Sequence, residues 1–336
     1  MYLDFAMPLT LFAVTLVAML LNDKVEGKLK GVFEEKKFGF LDALLLIGAI
    51  SVTVWLIVFI PQMAVMIIFL FAYSTLLFTF TYIFSNFQKF GAKLFCMTFL
   101  TVTFLIGAAS LFIFIGNSIA VYAALTFFGL FAFAFLALLY EESRVSTKER
   151  WYLAVLPPAL FISLYIFFSR TPLWFPYLLN LYGIVFGVLI ILYLGSLFTW
   201  KTTIFFAGAL TLMDIILVLF SGAMVSAATH VSGLRLPVLI TLPTVPEIST
   251  EIGKVYMSLG LGDFFFAGLL ALQTLKKFGK KLALLSAIGM GVSFFIFEAF
   301  LLNYRPGAFP GTLMIICGWI PFVLWKSLKQ LFKGAK

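Results

Sequence analysis

Eleven long apolar runs limit what this chain can fold into more than any other feature of its sequence. Each run has roughly the 20 residues that an α-helix needs to cross the hydrocarbon core of a bilayer. The runs cover residues 3–21, 39–60, 63–84, 92–115, 118–140, 151–168, 173–199, 202–225, 255–275, 282–302 and 308–326. We therefore predict an all-α fold, a polytopic transmembrane helical bundle with eleven helices.

The composition agrees with this prediction and excludes several kinds of functional site. Hydrophobic residues make up 63% of the chain and charged residues only 11%, whereas soluble domains are about 25% charged. The net charge of +9 comes from basic residues in the gaps between runs, so we expect no nucleic-acid partner. The single histidine, His230, and the two separated cysteines, Cys96 and Cys317, predict no metal site and no Ser-His-Asp triad. We predict no cofactor.

The distribution of basic residues predicts the orientation of the helices in the lipid bilayer. If the N-terminus lies outside, the inner segments hold 19 of the 23 lysine and arginine residues. This bias is the positive-inside signal, and it predicts a cytoplasmic C-terminus and an outside segment 226–254. The first run carries Asp4 and follows no basic residue, so we interpret it as a retained helix rather than a signal peptide. The compact chain favours a multi-pass protein of a prokaryotic plasma membrane, with no indication of its oligomeric state.

Two acidic residues, Asp214 and Asp263, lie 49 residues apart, deep inside consecutive runs. They are placed about 16 Å and about 12 Å from the outer ends of antiparallel helices, so their carboxylates can face each other. Ionising a carboxylate at this depth costs several kcal/mol, and two of them would share one proton and a water molecule. The ionised member can then deprotonate water while the neutral member protonates a peptide carbonyl.

The two acids alone leave other functions open. Transporters coupled to protons or ions also keep intramembrane acids beside unwound, glycine-rich helix segments. Two acids that only fix helix packing are a further alternative. Many such transporters have inverted repeats, and we find no convincing self-similarity between the halves of this chain.

Other polar positions have simpler interpretations. We expect Glu298, near the outer end of its run, to be a solvated interfacial acid or to pair with Arg305. Asn180 is expected to hydrogen-bond to a neighbouring helix. Glu141 and Arg150 belong to a charged loop that we interpret as a solvated cluster.

Four motifs resemble the presenilin and signal peptide peptidase family of intramembrane aspartyl proteases. Gly260-Leu261-Gly262-Asp263 is similar to that family's Gly-x-Gly-Asp signature, and Asp214 lies in the preceding run, as the second aspartate does there. An apolar segment flanked by prolines, residues 236–243, follows Asp214; it is too short to span a bilayer and predicts a strand or an interfacial segment. Pro310-Gly311-Thr312 opens the last run, where the family carries Pro-Ala-Leu.

The resemblance implies a nine-helix core with about two extra helices, and a metal-free protease that cleaves transmembrane peptides. Residues 1–200 would form a scaffold and residues 201–336 the catalytic part. Asp214 and Asp263 would be the catalytic pair, and the 236–243 segment would pair with an extended substrate. The residues implied in substrate binding or in support of the pair are Gly260, Leu261, Gly262, Pro310, Gly311, Thr312, Leu236, Pro237, Val238, Leu239 and Ile240.

The predicted orientation favours substrates whose N-termini lie inside, such as remnant signal peptides. Two departures from the family keep a catalytically degenerate member open as an alternative. Met213 stands where the family usually has tyrosine, and the proline motif is altered.

Overall fold

The computed structural model describes residues 2–32, 37–86, 88–145, 150–250, 253–304 and 307–334. The chain divides into two compact units, one formed by Met1–Val65 with Pro176–Lys336 and the other by Met66–Phe175. Both aspartates lie in the first unit. The first 65 residues, which we predicted as scaffold, belong to that same unit, so the compact units do not divide the chain at residue 200.

Helices form almost all of the regular structure. They are α1 Ala6–Val32, α2 Phe40–Phe59, α3 Gln62–Phe84, α4 Lys89–Ile113, α5 Ser118–Ser143, α6 Trp151–Ala154, α7 Leu156–Phe168, α8 Leu179–Leu197, α9 Trp200–Ile215, α10 Ala223–Ser232, α11 Leu261–Phe278, α12 Lys280–Tyr304 and α13 Gly311–Gly334, with π-helical turns at Leu173–Leu178 and Ile216–Phe220. The strands are β1 Leu239–Pro243, β2 Ser249–Thr250, β3 Gly253–Lys254 and β4 Tyr256–Gly260. The predicted all-α, polytopic bundle is confirmed.

Nine helical segments within the described ranges are long and apolar enough to cross a membrane. The chain is therefore an integral, multi-pass membrane protein. Each of the eleven predicted runs contains a helix. The two outside the set of nine are α11, whose 18 residues carry three charged side chains, and α13, whose apolar part is the shorter Gly311–Lys326.

The two predicted runs that contain the aspartates were each wrong at one end. The run 202–225 does not continue as one helix, because the chain leaves α9 through a π-helical turn and the helix is broken at Gly222, which has a φ of 64°. Only glycine adopts this left-handed conformation readily. The run 255–275 begins as strand β4, and its helix starts at Leu261. Asp263 therefore lies in the first turn of α11 rather than deep inside a helix.

Helix α11 lies at the centre of the larger unit. Its residues 264–274 are all buried, and it packs against α1, α8, α9, α12 and α13. A Cβ atom built on Gly268 would lie 2.5 Å from the side chain of Ile191, so glycine permits the close approach of α8. Buried Gln273 donates to the carbonyls of Gly195 and Phe198 at 3.1 and 3.0 Å.

A short antiparallel sheet closes one end of this arrangement. Strand β1 pairs with β4, with Ile240 opposite Leu259 and Thr241 opposite Ser258. The predicted strand at 236–243 is thus confirmed for Leu239–Pro243. The side-chain amide of Asn180 donates to the carbonyl of Thr241 at 2.6 Å and accepts from its N–H at 2.8 Å. Asn180 therefore holds the outer edge of β1 rather than a neighbouring helix, which corrects our expectation.

The smaller unit contains a buried ion pair where we predicted a solvated cluster. Glu141 and Arg150 are 0% and 1% exposed, and Arg150 Nε donates to Glu141 Oε1 at 2.9 Å. Arg144 lies 3.7 Å from the same oxygen. The interpretation as solvent-facing charges was therefore wrong for Glu141 and Arg150. Glu142 does extend outward, where it pairs with Lys93.

Candidate active site

Asp214 lies in the last turn of α9, where the helix gives way to the π-helical turn. Its side chain is buried, with a relative exposure of 7%. Single π-helical turns occur preferentially at functional positions. Here the turn ends the regular helix just beyond the carboxylate, and α10 follows after Gly222.

Thr312 binds the Asp214 carboxylate with two hydrogen bonds. The hydroxyl donates to Asp214 Oδ2 at 2.6 Å and the backbone N–H donates to the same oxygen at 3.3 Å. Thr312 is the second residue of α13, so its N–H is one of the groups that a helix leaves unpaired at its start. The N-terminal end of a helix dipole also favours a negative charge.

Asp263 lies at the start of another helix, α11. It is the third residue of α11, and its Oδ2 lies 3.3 Å from the position of a Cβ built on Gly260, the residue that caps the helix. Asp263 thus lies in the first turn of α11, where the backbone N–H groups of the helix are unpaired. Each aspartate is therefore held at the N-terminus of a helix, which favours carboxylate charge in an otherwise apolar setting.

Gly311 and Thr312 bring the two aspartates together. A Cβ atom built on Gly311 would lie 2.6 Å from Asp263 Oδ1, while the next residue, Thr312, holds Asp214. The two carboxylates are close enough to interact electrostatically. The pairing that we predicted from two consecutive runs is thus present in the structure.

Both carboxylates line one cavity of about 540 Å³ within the larger unit. Its walls come from strands β1 and β4, from the beginnings of α11 and α13, and from α2, α9, α10 and α12. Apolar side chains such as Phe294, Leu301 and Met314 form most of the surface. A volume of about 540 Å³ is within the usual range of ligand-binding pockets.

The predicted supporting residues fall into two groups. Those that line the cavity are Val238, Leu239, Gly260, Leu261, Gly262 and Gly311. The others are buried beside it: Leu236, Pro237, Ile240, Pro310 and Thr312. Ile240 packs against α8, where its Cγ1 lies 2.9 Å from a Cβ built on Gly183.

One acidic residue of the cavity was not recognised from the sequence. Glu298 lines the same cavity and is 1% exposed, whereas we expected an interfacial acid. The proposed partner, Arg305, lies outside the described residues. The sequence did contain a signal for the burial of Glu298. Phe294, Glu298 and Leu301 are spaced four and three residues apart, which places them on one face of α12.

The donor set of the cavity is carboxylate and hydroxyl oxygen. Across the described residues, no group of three or more histidine, cysteine, aspartate or glutamate side chains is placed to hold a metal ion. Two facing carboxylates can instead bind and polarise a water molecule between them.

Comparisons with protein-family models and with curated proteins gave no match for this chain.

Proposed function

We propose that this protein is an intramembrane aspartyl protease of the presenilin and signal peptide peptidase type. One observation carries the proposal: Asp214 and Asp263 meet in a largely apolar cavity. The N-terminus of α13 binds Asp214, and Asp263 lies in the first turn of α11. Structural acids would not need a shared cavity of this size. The Gly-x-Gly-Asp sequence and the preceding aspartate support the same class of enzyme.

The hydrogen bonds suggest different roles for the two aspartates. Asp214 accepts two hydrogen bonds from Thr312, and donors of this kind favour the ionised form of a carboxylate. In this proposal Asp214 removes a proton from water while the water oxygen attacks the scissile carbonyl carbon. Asp263, which holds the shared proton, gives it to the carbonyl oxygen. The resulting gem-diol collapses as the C–N bond breaks: Asp263 takes back a proton from one hydroxyl as the C=O bond re-forms, and the leaving nitrogen takes the proton from Asp214.

A peptide bond must leave its helix before such a pair can reach it, and strand β4 offers a place for the extended form. Asn180 already occupies the outer edge of β1 at Thr241. Thr241 lies opposite Ser258, so the backbone groups of Ser258 point to the outer edge of β4. A substrate strand added there would lead directly to Asp263. We therefore place the substrate on β4 rather than on the 236–243 segment itself.

The substrate class follows from this setting. An apolar cavity in a multi-pass protein suits a transmembrane peptide, and the predicted orientation favours substrates with their N-termini inside. Remnant signal peptides have this character. Reporter fusions that placed residues 226–254 in the cytoplasm would reverse the expected orientation of the substrate.

Cleavage of a tagged transmembrane peptide by purified protein in detergent tests the proposal. We expect the wild-type protein to cleave, and Asp214→Asn and Asp263→Asn to lose activity. Asp42→Asn is a matched control, because Asp42 is also the third residue of a helix, where it accepts the N–H of its cap residue, Gly39. Asp42 does not line the cavity, and this variant should cleave normally.

The alternatives predict different outcomes. A panel of peptides in both orientations that is not cleaved by wild-type protein would contradict the protease. Ion flux in liposomes that depends on Asp214 and Asp263 would then favour a coupled transporter. The absence of both activities would favour a catalytically degenerate member of the family.

A further inference from the structure

Glu298 is a buried acid that the proposed cleavage mechanism does not use. Its side chain is 1% exposed and lines the cavity that holds the two aspartates. Neither carboxylate oxygen has a hydrogen-bond partner within the part of the chain that the structure describes. A buried polar group without a partner costs about 1–3 kcal/mol, and a charged one costs more. A ligand that hydrogen-bonds to Glu298 in this cavity would remove that cost.

The surroundings of Glu298 favour a cation. Buried Asp4 is close enough to Glu298 to interact with it electrostatically, and it accepts hydrogen bonds from the N–H groups of Ala6 and Val245 at 2.9 and 2.7 Å. Among the described residues that line the cavity, none is lysine or arginine. This part of the cavity therefore carries acids without a basic side chain on its wall.

Phe294 and Leu301, on the same face of α12, flank Glu298 with apolar surface. A ligand that fits must combine an apolar stem with a positively charged end. A lysine side chain has this form, and so does the free α-amino end of an apolar peptide.

We propose that Glu298 is a specificity-determining residue that binds an ammonium group of the peptide, either a lysine side chain or a free α-amino group. The inference rests on the proposed protease, because it assigns a subsite to the same cavity. It predicts that a transmembrane peptide with one amine near the cleavage position binds better than its neutral counterpart.

Three fluorescent peptides of otherwise identical sequence separate the two sources of the amine. The first has an acetylated N-terminus and one internal lysine, and the second replaces that lysine with norleucine. The third keeps norleucine but has a free N-terminus. Binding is measured by anisotropy in the Asp214→Asn background, where turnover does not interfere, and cleavage is measured in parallel with Asp214 intact.

We expect one of the amine peptides to bind about tenfold more tightly than the acetylated norleucine peptide, as a charge-assisted hydrogen bond would produce. Glu298→Gln should abolish that preference and leave the binding of the neutral peptide unchanged. Glu247→Gln is the matched control, since it removes an exposed acid that pairs with Lys254 at 2.8 Å and does not line the cavity.

Several results would overturn the proposal. One is equal binding of all three peptides, which needs no variant to interpret. Another is a Glu298→Gln protein that keeps the preference for the amine peptide, or that binds all three peptides more weakly by the same factor. A third is an Arg305→Gln protein with the same effect on preference as Glu298→Gln, which would make Arg305 the partner of Glu298. If no peptide is cleaved but the amine peptides still bind more tightly, the result would count against the protease and would support the cation subsite.

Discussion

At the scale of single residues, the contact between Thr312 and Asp214 is the most informative. The presenilin and signal peptide peptidase family, which this chain resembles, carries leucine where this chain has Thr312. The threonine hydroxyl adds a donor that leucine lacks. In this chain the hydroxyl and the backbone N–H of Thr312 both donate to Asp214 Oδ2. In the proposed mechanism, Thr312 is therefore a positioning residue for Asp214, the base.

Replacing Thr312 with valine tests this role. Valine keeps the shape and the backbone N–H but removes the hydroxyl. A hydrogen bond to a charged group contributes about 1.5–3 kcal/mol, so we expect kcat to fall about tenfold to a hundredfold with little change in KM. Thr312→Ser keeps a hydroxyl at this position and should retain most of the wild-type rate. Equal rates for the valine and serine variants in steady-state peptide cleavage would contradict a role for the hydroxyl.

Two glycines beside Asp263 differ in the space around them. A Cβ on Gly262 would meet no atom within 4 Å, whereas one on Gly311 would lie 2.6 Å from Asp263 Oδ1. Gly262→Ala should therefore unfold at the wild-type temperature. Gly311→Ala should displace the Asp263 carboxylate and lower the cleavage rate at least about tenfold, since small misplacements of reacting groups are costly. Thermal unfolding and cleavage of both variants check this pair, and a fully active Gly311→Ala would show that Asp263 has freedom to move.

At the scale of elements, the close packing of α11 on α8 sets where the aspartate helix lies. Gly268→Ala would drive a methyl group into Ile191 and should destabilise the protein by about 1–3 kcal/mol, the usual cost of overpacking. Shortening the neighbour in Gly268→Ala/Ile191→Ala should recover part of that loss. Unfolding of the two single variants and the double variant in detergent gives the coupling energy. A coupling near zero would mean that the two residues do not meet.

Sequence reasoning identified the helices because an apolar run of about 20 residues has few other ways to satisfy its backbone in lipid. It failed at Tyr256–Gly260, which is apolar but pairs with β1 as a strand. Short apolar segments do not distinguish strand from helix by periodicity alone. The pairing partner is distant in sequence, so only the folded chain reveals it.

The same limit applied within the candidate site. Asp214 and Asp263 were predictable because acids inside apolar runs are rare and costly. Glu298 was not, because its burial depends on how α12 packs against neighbouring elements rather than on its distance from the end of its run. The buried pair of Glu141 and Arg150 was missed for a similar reason, since charges in a short loop usually face water.

At the scale of the whole molecule, the two compact units carry different polar interiors. The larger unit contains the acidic cavity, and the smaller unit contains the Glu141–Arg150 ion pair. Breaking a buried ion pair by removing one partner typically costs about 3–5 kcal/mol. We expect Glu141→Gln and Arg150→Gln each to lower the unfolding temperature, and the double variant to recover part of the loss.

Unfolding scans of these variants in detergent check that prediction, with Lys93→Gln as the control. Lys93 pairs with Glu142, whose side chain is 64% exposed, and surface pairs contribute little. Single variants that unfold at the wild-type temperature would contradict a structural role for the buried pair.

The most direct test of the central claim is the single-turnover cleavage rate of four proteins: wild type, Asp214→Asn, Asp263→Asn and the double variant. Two carboxylates that act on one water molecule work as a unit, so their losses do not add. We predict that each single variant falls to the background rate and that the double variant is no slower than either. A single variant that cleaves at the wild-type rate, or losses that add in the double variant, would contradict a shared catalytic pair.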